Sequence, residues 1–540
     1  YNKLVAKVKS SFLELYEKRS REGTAIATLK FHSAYAFCEG FAQVEKPVRP
    51  ECVTERPGTF VSPLSSLMSK VMKRAARGSW VYRRFLQDIL MCKKGMPPAL
   101  PEFVEQSLLK HKKALSRDFA EAHKKCDPKH VLAVKMELST IIHSLFDKTV
   151  FEHEDLLPSS SSCFDRSMVD GGALCELLTR FRESVSVPVD CFSVDGQPIP
   201  EKVVCEFQNW VDRQWLRRLD KPLRVTPVAI LEPLKVRVIT KGQAPEYYRT
   251  CELQKLMWSV LKEHAVFQYI GKPIDEDSFT SCFGCVEDLK PDEFYVSGDF
   301  DAATDNLNPE LIEYAWKEIC RSVDIKVQND LGVIEKRKLI SHPLYELGLK
   351  ALTRHQLVYY PKKLSKDKAY ASEEDLELVQ QTWGQLMGSP MSFPILCLIN
   401  AAAACVALRI PFGESTKVRI NGDDIGFIAD SSSYARWKEV TSACGLFLSI
   451  GKNYCSRDFL MLNSELRRAP HRASGGRTAF KGCYTVGKPI ICADCGGILA
   501  STIVWRDYPK WRLEGYLNQS ILKGVTAKGV DAGKPKDIYW

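Results

Sequence analysis

Two short acidic segments carry the chemistry most worth following. Phe294-Tyr-Val-Ser-Gly-Asp299 reads as a strand that ends on a carboxylate, and the turn after it offers Asp301 and Asp305. Downstream, Gly422-Asp423-Asp424 sits between Val418 and Ile420 on one side and Ile425 and Phe427 on the other, which is hairpin patterning. Adjacent carboxylates at a turn repel each other, so nothing structural favours them unless a cation is shared. Hard oxygen donors of this kind suit Mg²⁺, because water and substrate phosphates complete its octahedron and few protein ligands are needed. A helix-capping loop with solvated acids is the plainer reading of the first segment taken alone.

The elements that must position these groups are legible nearby. Asn308, Pro309 and Glu310 form a helix start, and Leu311, Ile312, Ala315, Trp316 and Ile319 follow at helical spacing. Trp383-Gly-Gln-Leu-Met-Gly388-Ser389-Pro-Met-Ser392 reads as a tight loop leading into an apolar helix that carries Asn400. Its apolar run, Ile395 to Leu408, is shorter than the roughly 18–20 residues a membrane span needs, so a buried helix is expected and no membrane segment. Upstream, two strands begin near Leu223. In the second, Lys235 and Arg237 alternate with Val236 and Val238, which puts both cations on one face with Lys241 at its end. That suits a triphosphate; an edge strand protected by charge is the alternative.

Cations gather elsewhere too. Between Met68 and Gly95 stand Lys70, Lys73, Arg74, Arg77, Arg83, Arg84, Lys93 and Lys94, interleaved with Trp80, Tyr82 and Phe85. Aromatic planes among cations fit single-stranded nucleic acid, and a solvated face is the alternative. The four serines from Ser159 to Ser162 read as a solvated linker or a phosphate-contacting loop. The 540 residues are 45% apolar and 26% charged with a net charge of +10, which excludes a disordered or fibrous chain and permits an RNA partner without demanding one. The nineteen cysteines are irregularly spaced, and the start at Tyr1 has no apolar signal region, so reduced cytosolic thiols are expected. A start at Tyr rather than Met points to a processed or partial chain. Two Cys-x-x-Cys pairs, Cys282/Cys285 and Cys492/Cys495, would have to converge to bind zinc, and buried or loop thiols are preferred.

Taken in order, LEPLKVRVITKG, GDFDAATDNL, GQLMGSPMSFPILCLIN, INGDDIGF and GKNYCS resemble motifs F, A, B, C and D of viral RNA-dependent RNA polymerases, most closely the ourmiavirus-like group near the narnaviruses. The resemblance covers about Leu223 to Leu466. It implies an α+β right-hand fold of fingers, palm and thumb, with an antiparallel palm sheet backed by helices. Fingers with an N-terminal extension are expected over 1–285, palm over 286–344, a fingers/palm insertion over 345–382, palm again over 383–465, and thumb over 466–540. Such an enzyme replicates a positive-strand RNA genome, and its partners are RNA template, RNA product and nucleoside triphosphates.

Carried over residue by residue, the resemblance implies that Asp299 and Asp423 hold two Mg²⁺ ions, with Mn²⁺ as a substitute, and that Asp424 supports them. It implies Asp305 at the ribose 2′-hydroxyl, with Asp301-x3-Asp305 as a competing registration. Lys235, Arg237 and Lys241 would meet the triphosphate, Arg237 foremost because a guanidinium can pair bidentately. Ser389 matches the motif B hydroxyl. Phe393 stands where picornavirus-type enzymes have Asn, leaving Ser392 or Asn400 as substitutes. Lys452 matches the motif D general acid, with a surface cation as the alternative. Phe459 to Ser464 matches the motif E hairpin. Lys73, Arg74, Arg77, Arg83, Arg84, Gly388, Arg467 and Arg468 would follow RNA, with Arg472 and Arg477 beyond them. A silent RNA-binding or packaging protein on the same fold, or a reverse transcriptase, remain as rivals. Asp305 and Gly422 weigh against the second.

Overall fold

The computed structural model describes residues 25–43, 46–58, 64–92, 103–153, 158–184, 201–232, 235–272, 274–328, 334–360, 376–449, 451–463 and 465–471, with short strands at 481–482, 490–492 and 497–499. Most of the expected thumb, with Lys93, Lys94, Arg472, Arg477 and the Cys492/Cys495 thiols, therefore lies outside the described residues or their described side chains.

Alternating apolar residues build a four-stranded antiparallel sheet in the order Tyr454–Ser456, Phe294–Gly298, Asp424–Ala429, Val418–Asn421. Its central strands need cover on both sides, because successive side chains point to opposite faces. Val296 faces the helical core, whereas Tyr295 joins Leu460 and Leu462 of the Phe459–Leu462 strand on the other face. That strand and Glu465–Arg468 form a hairpin turning at Asn463, the one expected from the motif E match.

The helical cover is as its sequence dictates. Helix Pro309–Ser322 starts with the Asn308 side chain accepting from the Glu310 N–H, and it buries Leu311, Ile312, Ala315, Trp316 and Ile319. Leu311, Ile312 and Ile319 each contribute about 1.5–3 kcal/mol of hydrophobic stabilisation. Helix Ser392–Leu408 is buried nearly all round, Asn400 included, which accounts for an apolar run without a polar face. Helices Pro128–Phe146 and Ser431–Ala443 complete the layer, and one continuous core runs from Cys126 to Leu446. Among the described residues no helix is long and apolar enough to cross a membrane.

A second four-stranded sheet is ordered Lys235–Gly242, Leu223–Glu232, His355–Tyr359, Glu377–Gln380. The first two form a long hairpin, but Leu223–Glu232 and His355–Tyr359 run parallel. A parallel pair needs a long crossover, and here the chain builds strand Phe294–Gly298 and helix Pro309–Ser322 of the first sheet and its cover before it returns. The two sheets are tied through the loop before helix Ser392–Leu408, where the Thr240 N–H donates to the Met387 carbonyl at 2.9 Å.

The serine run is neither a free linker nor an open phosphate loop. The Ser159 and Ser161 carbonyls accept from the N–H groups of Leu174 and Ala173, both at 2.9 Å, at the start of helix Gly172–Ser184. The Ser162 hydroxyl accepts from the Met168 N–H at 2.8 Å.

Candidate metal and nucleotide site

Asp299 stands at the end of the central strand, and its backbone is held on both sides. Its N–H donates to Asn453 Oδ1 at 3.1 Å, while its carbonyl accepts from the Ser449 N–H at 2.9 Å and Asn453 Nδ2 at 3.2 Å. The register pairs Gly298 with Ile425, so one step further it sets Asp299 beside Asp424 at the mouth of the hairpin. Gly422 turns that hairpin at φ +69°, and a Cβ there would lie 2.6 Å from the Phe393 ring. The motif B position occupied by Phe393 thus carries a floor beneath the acidic turn. Asn400 Nδ2 donates to the Gly422 carbonyl at 3.0 Å and fixes the turn from the same side.

Burial raises the Asp423 carboxyl above its ordinary range, and the negative charge of Asp299 raises it further. A divalent cation shared between them would relieve that repulsion, and the donors are all hard oxygens, so the residues fit Mg²⁺. Among the described residues no three acidic, imidazole or thiol groups converge closely enough to cage an ion. The carboxylates are electrostatic neighbours rather than a finished cage, which is what an ion completed by water and phosphate requires. Asp301, the competing residue, lies on the exposed turn with its N–H donating to the Phe447 carbonyl at 2.8 Å; Asp299 is the one at the sheet end.

The Lys452 ammonium straddles both Asp299 oxygens at 2.8 and 3.0 Å, with the lysine side chain 52% exposed and the aspartate 15%. Burial works to lower its pKa, but the charge and hydrogen bond of Asp299 outweigh this and the net shift is upward. Lys235 is shifted downward by burial and by neighbouring Arg237, and the charges acting on it include Lys452 and Asp299. Its side chain is nevertheless exposed. Arg237, foremost by sequence, is ion-paired with Glu232: its Nη2 donates to Oε2 at 3.3 Å, and its Nε lies 2.8 Å from Oε1. Lys235 is the strand cation that faces the carboxylates. Lys241 lies at the far end of the hairpin opposite Thr226.

Asp305 sits in the short helix Ala303–Asn306, where burial pushes its carboxyl up to about 6 although the Thr304 hydroxyl, Lys110 and Arg117 all pull it down. Ala302 enters this helix at φ +45°, a left-handed value for a residue with a Cβ, and such strain is commonly held at functional sites. Arg117 went unnoticed in the sequence. It donates to the Asp305 carbonyl at 3.3 Å and Asn306 Oδ1 at 2.9 Å, with its guanidinium over Trp383.

The motif B candidates do not gather at a sugar pocket. The Ser389 hydroxyl is buried and donates to the Ala351 carbonyl. Asn400 is fully buried beneath the Gly422 turn, so it positions that turn instead of reading a ribose. Its Oδ1 and the Ser392 hydroxyl are buried without a hydrogen-bond partner among the described residues. Gly388 permits close approach, since a Cβ would lie 2.2 Å from the Thr240 carbonyl. Its placement serves the tie between the sheets.

The basic residues divide. Lys73, Arg74 and Arg77 are exposed on or just past helix Leu64–Ala76, and Arg74 lies over Tyr82. Arg84 is half-buried. Arg83 is buried, donating to Asp458 at 2.8 Å and to the Ala75 carbonyl at 3.1 Å, with Phe41 and Trp80 against its guanidinium. Arg467 is likewise buried between Glu465, Glu276 and the Ile274 carbonyl. These two arginines are internal ion-pair partners, not RNA contacts. Arg468 stacks over Trp80 at 4.7 Å, so the two basic stretches meet in space. Of the Cys pairs, buried Cys282 ends a helix and Cys285 starts the next turn, its N–H donating to Asp288 at 2.7 Å; among the described residues they join no metal cluster.

No family model matches the chain. It is 27% identical over 476 residues to the RNA-dependent RNA polymerase of Ourmia melon virus (isolate Melon/Iran/VE9), covering 84% of this chain and 52% of that protein. The chain thus spans about half the length of that curated relative. The similarity to an ourmiavirus polymerase expected from the motifs is present along most of the chain. The crystal structure of the RNA-dependent RNA polymerase of a human picorbirnavirus overlaps 78% of this chain and 72% of its own, with 12% identity and a TM-score of 0.44. An overlap that loose transfers no residue roles.

Proposed function

We propose that this chain catalyses template-directed RNA synthesis from nucleoside triphosphates, as the polymerase that replicates a positive-strand viral RNA in the host cytoplasm. One observation carries the reading: Asp299, at a strand end, is held beside an acidic hairpin turn whose Asp423 is destabilised by that same neighbour, with Lys452 and Lys235 at the rim. Asp299 and Asp423 would hold divalent cations, supported by Asp424. When bound, Mg²⁺ (with Mn²⁺ as substitute) supplies activation of a 3′-hydroxyl nucleophile and charge stabilisation on the phosphates.

The protein groups do the rest. Lys235 meets the polyphosphate, and Arg237 and Lys241 extend that wall once Glu232 yields its partner. Lys452, an ammonium held at the rim by Asp299, moves from that carboxylate to the pyrophosphate and donates its proton there. The Asp305 carboxylate accepts from the ribose 2′-hydroxyl, which distinguishes ribonucleotides from deoxynucleotides. Exposed Lys73, Arg74 and Arg77 contact RNA phosphates. The two sheets and their connecting loop act as fingers and palm.

The test is primer extension and unprimed synthesis on an RNA template with Mg²⁺, comparing the wild type with Asp423→Asn. Incorporation by the wild type and a loss of about a thousandfold or more in the variant are expected. Undiminished synthesis by the variant would sink the metal assignment. A wild type that binds RNA without synthesis would transfer the reading to the silent RNA-binding alternative.

A further inference from the structure

The helix Ala25–Gly40 lies outside every motif block, yet it is built onto the segment that carries Lys452. Ala34 packs so closely on Gly451 that a Cβ there would come within 2.8 Å of the alanine methyl. Phe37 meets the Tyr454 ring at 5.0 Å, and Gln43 just past the helix accepts from the Cys455 N–H at 2.9 Å. Lys30 precedes Ala34 by four residues, so it projects from the same face one turn further along, about 5.4 Å. The charges acting on it are those of Lys235, Lys452 and Lys110, against Asp301. Three of the four are cations from separate elements. Lys30 is exposed, and it has no carboxylate partner among the described residues. Partial desolvation of this side chain, then the charges of Lys235 and Lys452, lower its pKa to about 8. Lys452 is matched by Asp299, but Lys30 adds a further positive charge beside it and Lys235 that no ion pair among the described residues takes up, and such an excess of cations attracts a polyanion from outside.

We propose that Lys30 is a polyphosphate-binding residue of the cleft, acting with Lys235 and Lys452 on the triphosphate of an incoming nucleotide or on the pyrophosphate product. The assignment rests on the nucleotide-site reading above. Lys30 lies on the phosphate side of that site, while the carboxylates hold the reacting end. Its removal therefore weakens binding of the polyphosphate more than it slows chemistry.

The experiment compares full-length wild type, Lys30→Ala and Lys30→Arg. In RNA synthesis, Lys30→Ala should raise the nucleotide KM about five- to twentyfold with kcat changed by no more than about twofold, and Lys30→Arg should restore KM. A matching rise in the inhibition constant of pyrophosphate assigns the contact to the phosphates shared by substrate and product; a rise in KM alone assigns it to the nucleotide. Calorimetric titration with inorganic tripolyphosphate should show a similar loss of affinity. Unchanged KM together with unchanged tripolyphosphate affinity overturns the assignment. If the wild type makes no RNA, the polymerase reading fails, and the tripolyphosphate comparison alone decides Lys30.

Discussion

The acidic edge of the Phe294–Gly298 and Asp424–Ala429 sheet and the cationic rim around it were read from the same sequence, and the structure treats them differently. Asp299 and Asp423 fall where strand ends and a two-residue turn put them, because a short carboxylate on a fixed backbone has little freedom. The cations sit on long flexible stems, and their partners come from distant segments: Arg83 finds Asp458, and Lys452 finds Asp299. Acid positions are thus decided by local backbone geometry, cation roles by tertiary neighbours. A motif match is trustworthy for the first and only suggestive for the second.

The largest expected effect attacks the backbone side of that contrast. Gly422→Ala faces a left-handed φ of +69° and a Phe393 ring 2.6 Å from the new Cβ, so the hairpin must shift and carry Asp423 with it. Misplacing a reacting group by about 1 Å costs roughly a hundredfold, and synthesis should fall by that much or more. Gly413→Ala, with no atom within 4 Å of its Cβ, is the matched control and should retain full activity. A Gly422→Ala enzyme with normal kcat would show that the acidic turn does not depend on its backbone.

What could be read in advance follows the same division. The strand before Asp299, the capped helix at Asn308, the Gly422 hairpin and the buried Ile395–Leu408 helix all rest on short-range patterns, and each is present. Burial of the helix carrying Asn400 was visible as an apolar run; that Asn400 reaches the Gly422 carbonyl was not, because the contact spans 22 residues and two elements. The contributions of Arg117 and Lys30 depend on where whole helices dock. Nothing local marks either. The Ser159–Ser162 run misled for a related reason: its low complexity suggested a linker, but its carbonyls were required at a helix start. Asn453 offered the one missed signal within reach, an amide beside Lys452 in a segment already singled out.

The contrast among cations sharpens with a pair of replacements of intermediate size. Arg83→Ala removes a buried guanidinium, breaks its ion pair with Asp458, takes one of two donors from the Ala75 carbonyl and strips two aromatic faces. A loss of about 1–3 kcal/mol in unfolding free energy is expected, read by urea denaturation. Arg77→Ala, on the exposed face, should leave stability unchanged and lower RNA affinity a few-fold, reducing the salt slope by roughly one counterion. If both variants instead lost RNA affinity with full stability, burial would be a poor guide to role here.

The smallest effect concerns Asp305, where a backbone-placed acid meets a tertiary environment. Its carboxyl rises from 3.8 to about 6, chiefly by burial. An acid with a raised folded pKa destabilises the native state when ionised: the cost is full above about pH 6, shrinks as pH falls, and is gone below about pH 4 where both states are protonated. Asp305→Asn should therefore stabilise the protein at pH 7.5 by about 1–2 kcal/mol after allowance for partial solvent screening, and by nothing measurable at pH 4. Function should move in step. In the wild type the preference for ribonucleotides over deoxynucleotides should weaken severalfold between pH 7.5 and 5.5 as the acceptor carboxylate takes a proton, whereas the asparagine variant should show a lower, flat ratio. A steep ratio that survives in Asp305→Asn would place sugar discrimination on another residue, and the half-buried carboxyl would then be a cost the fold carries for some other contact.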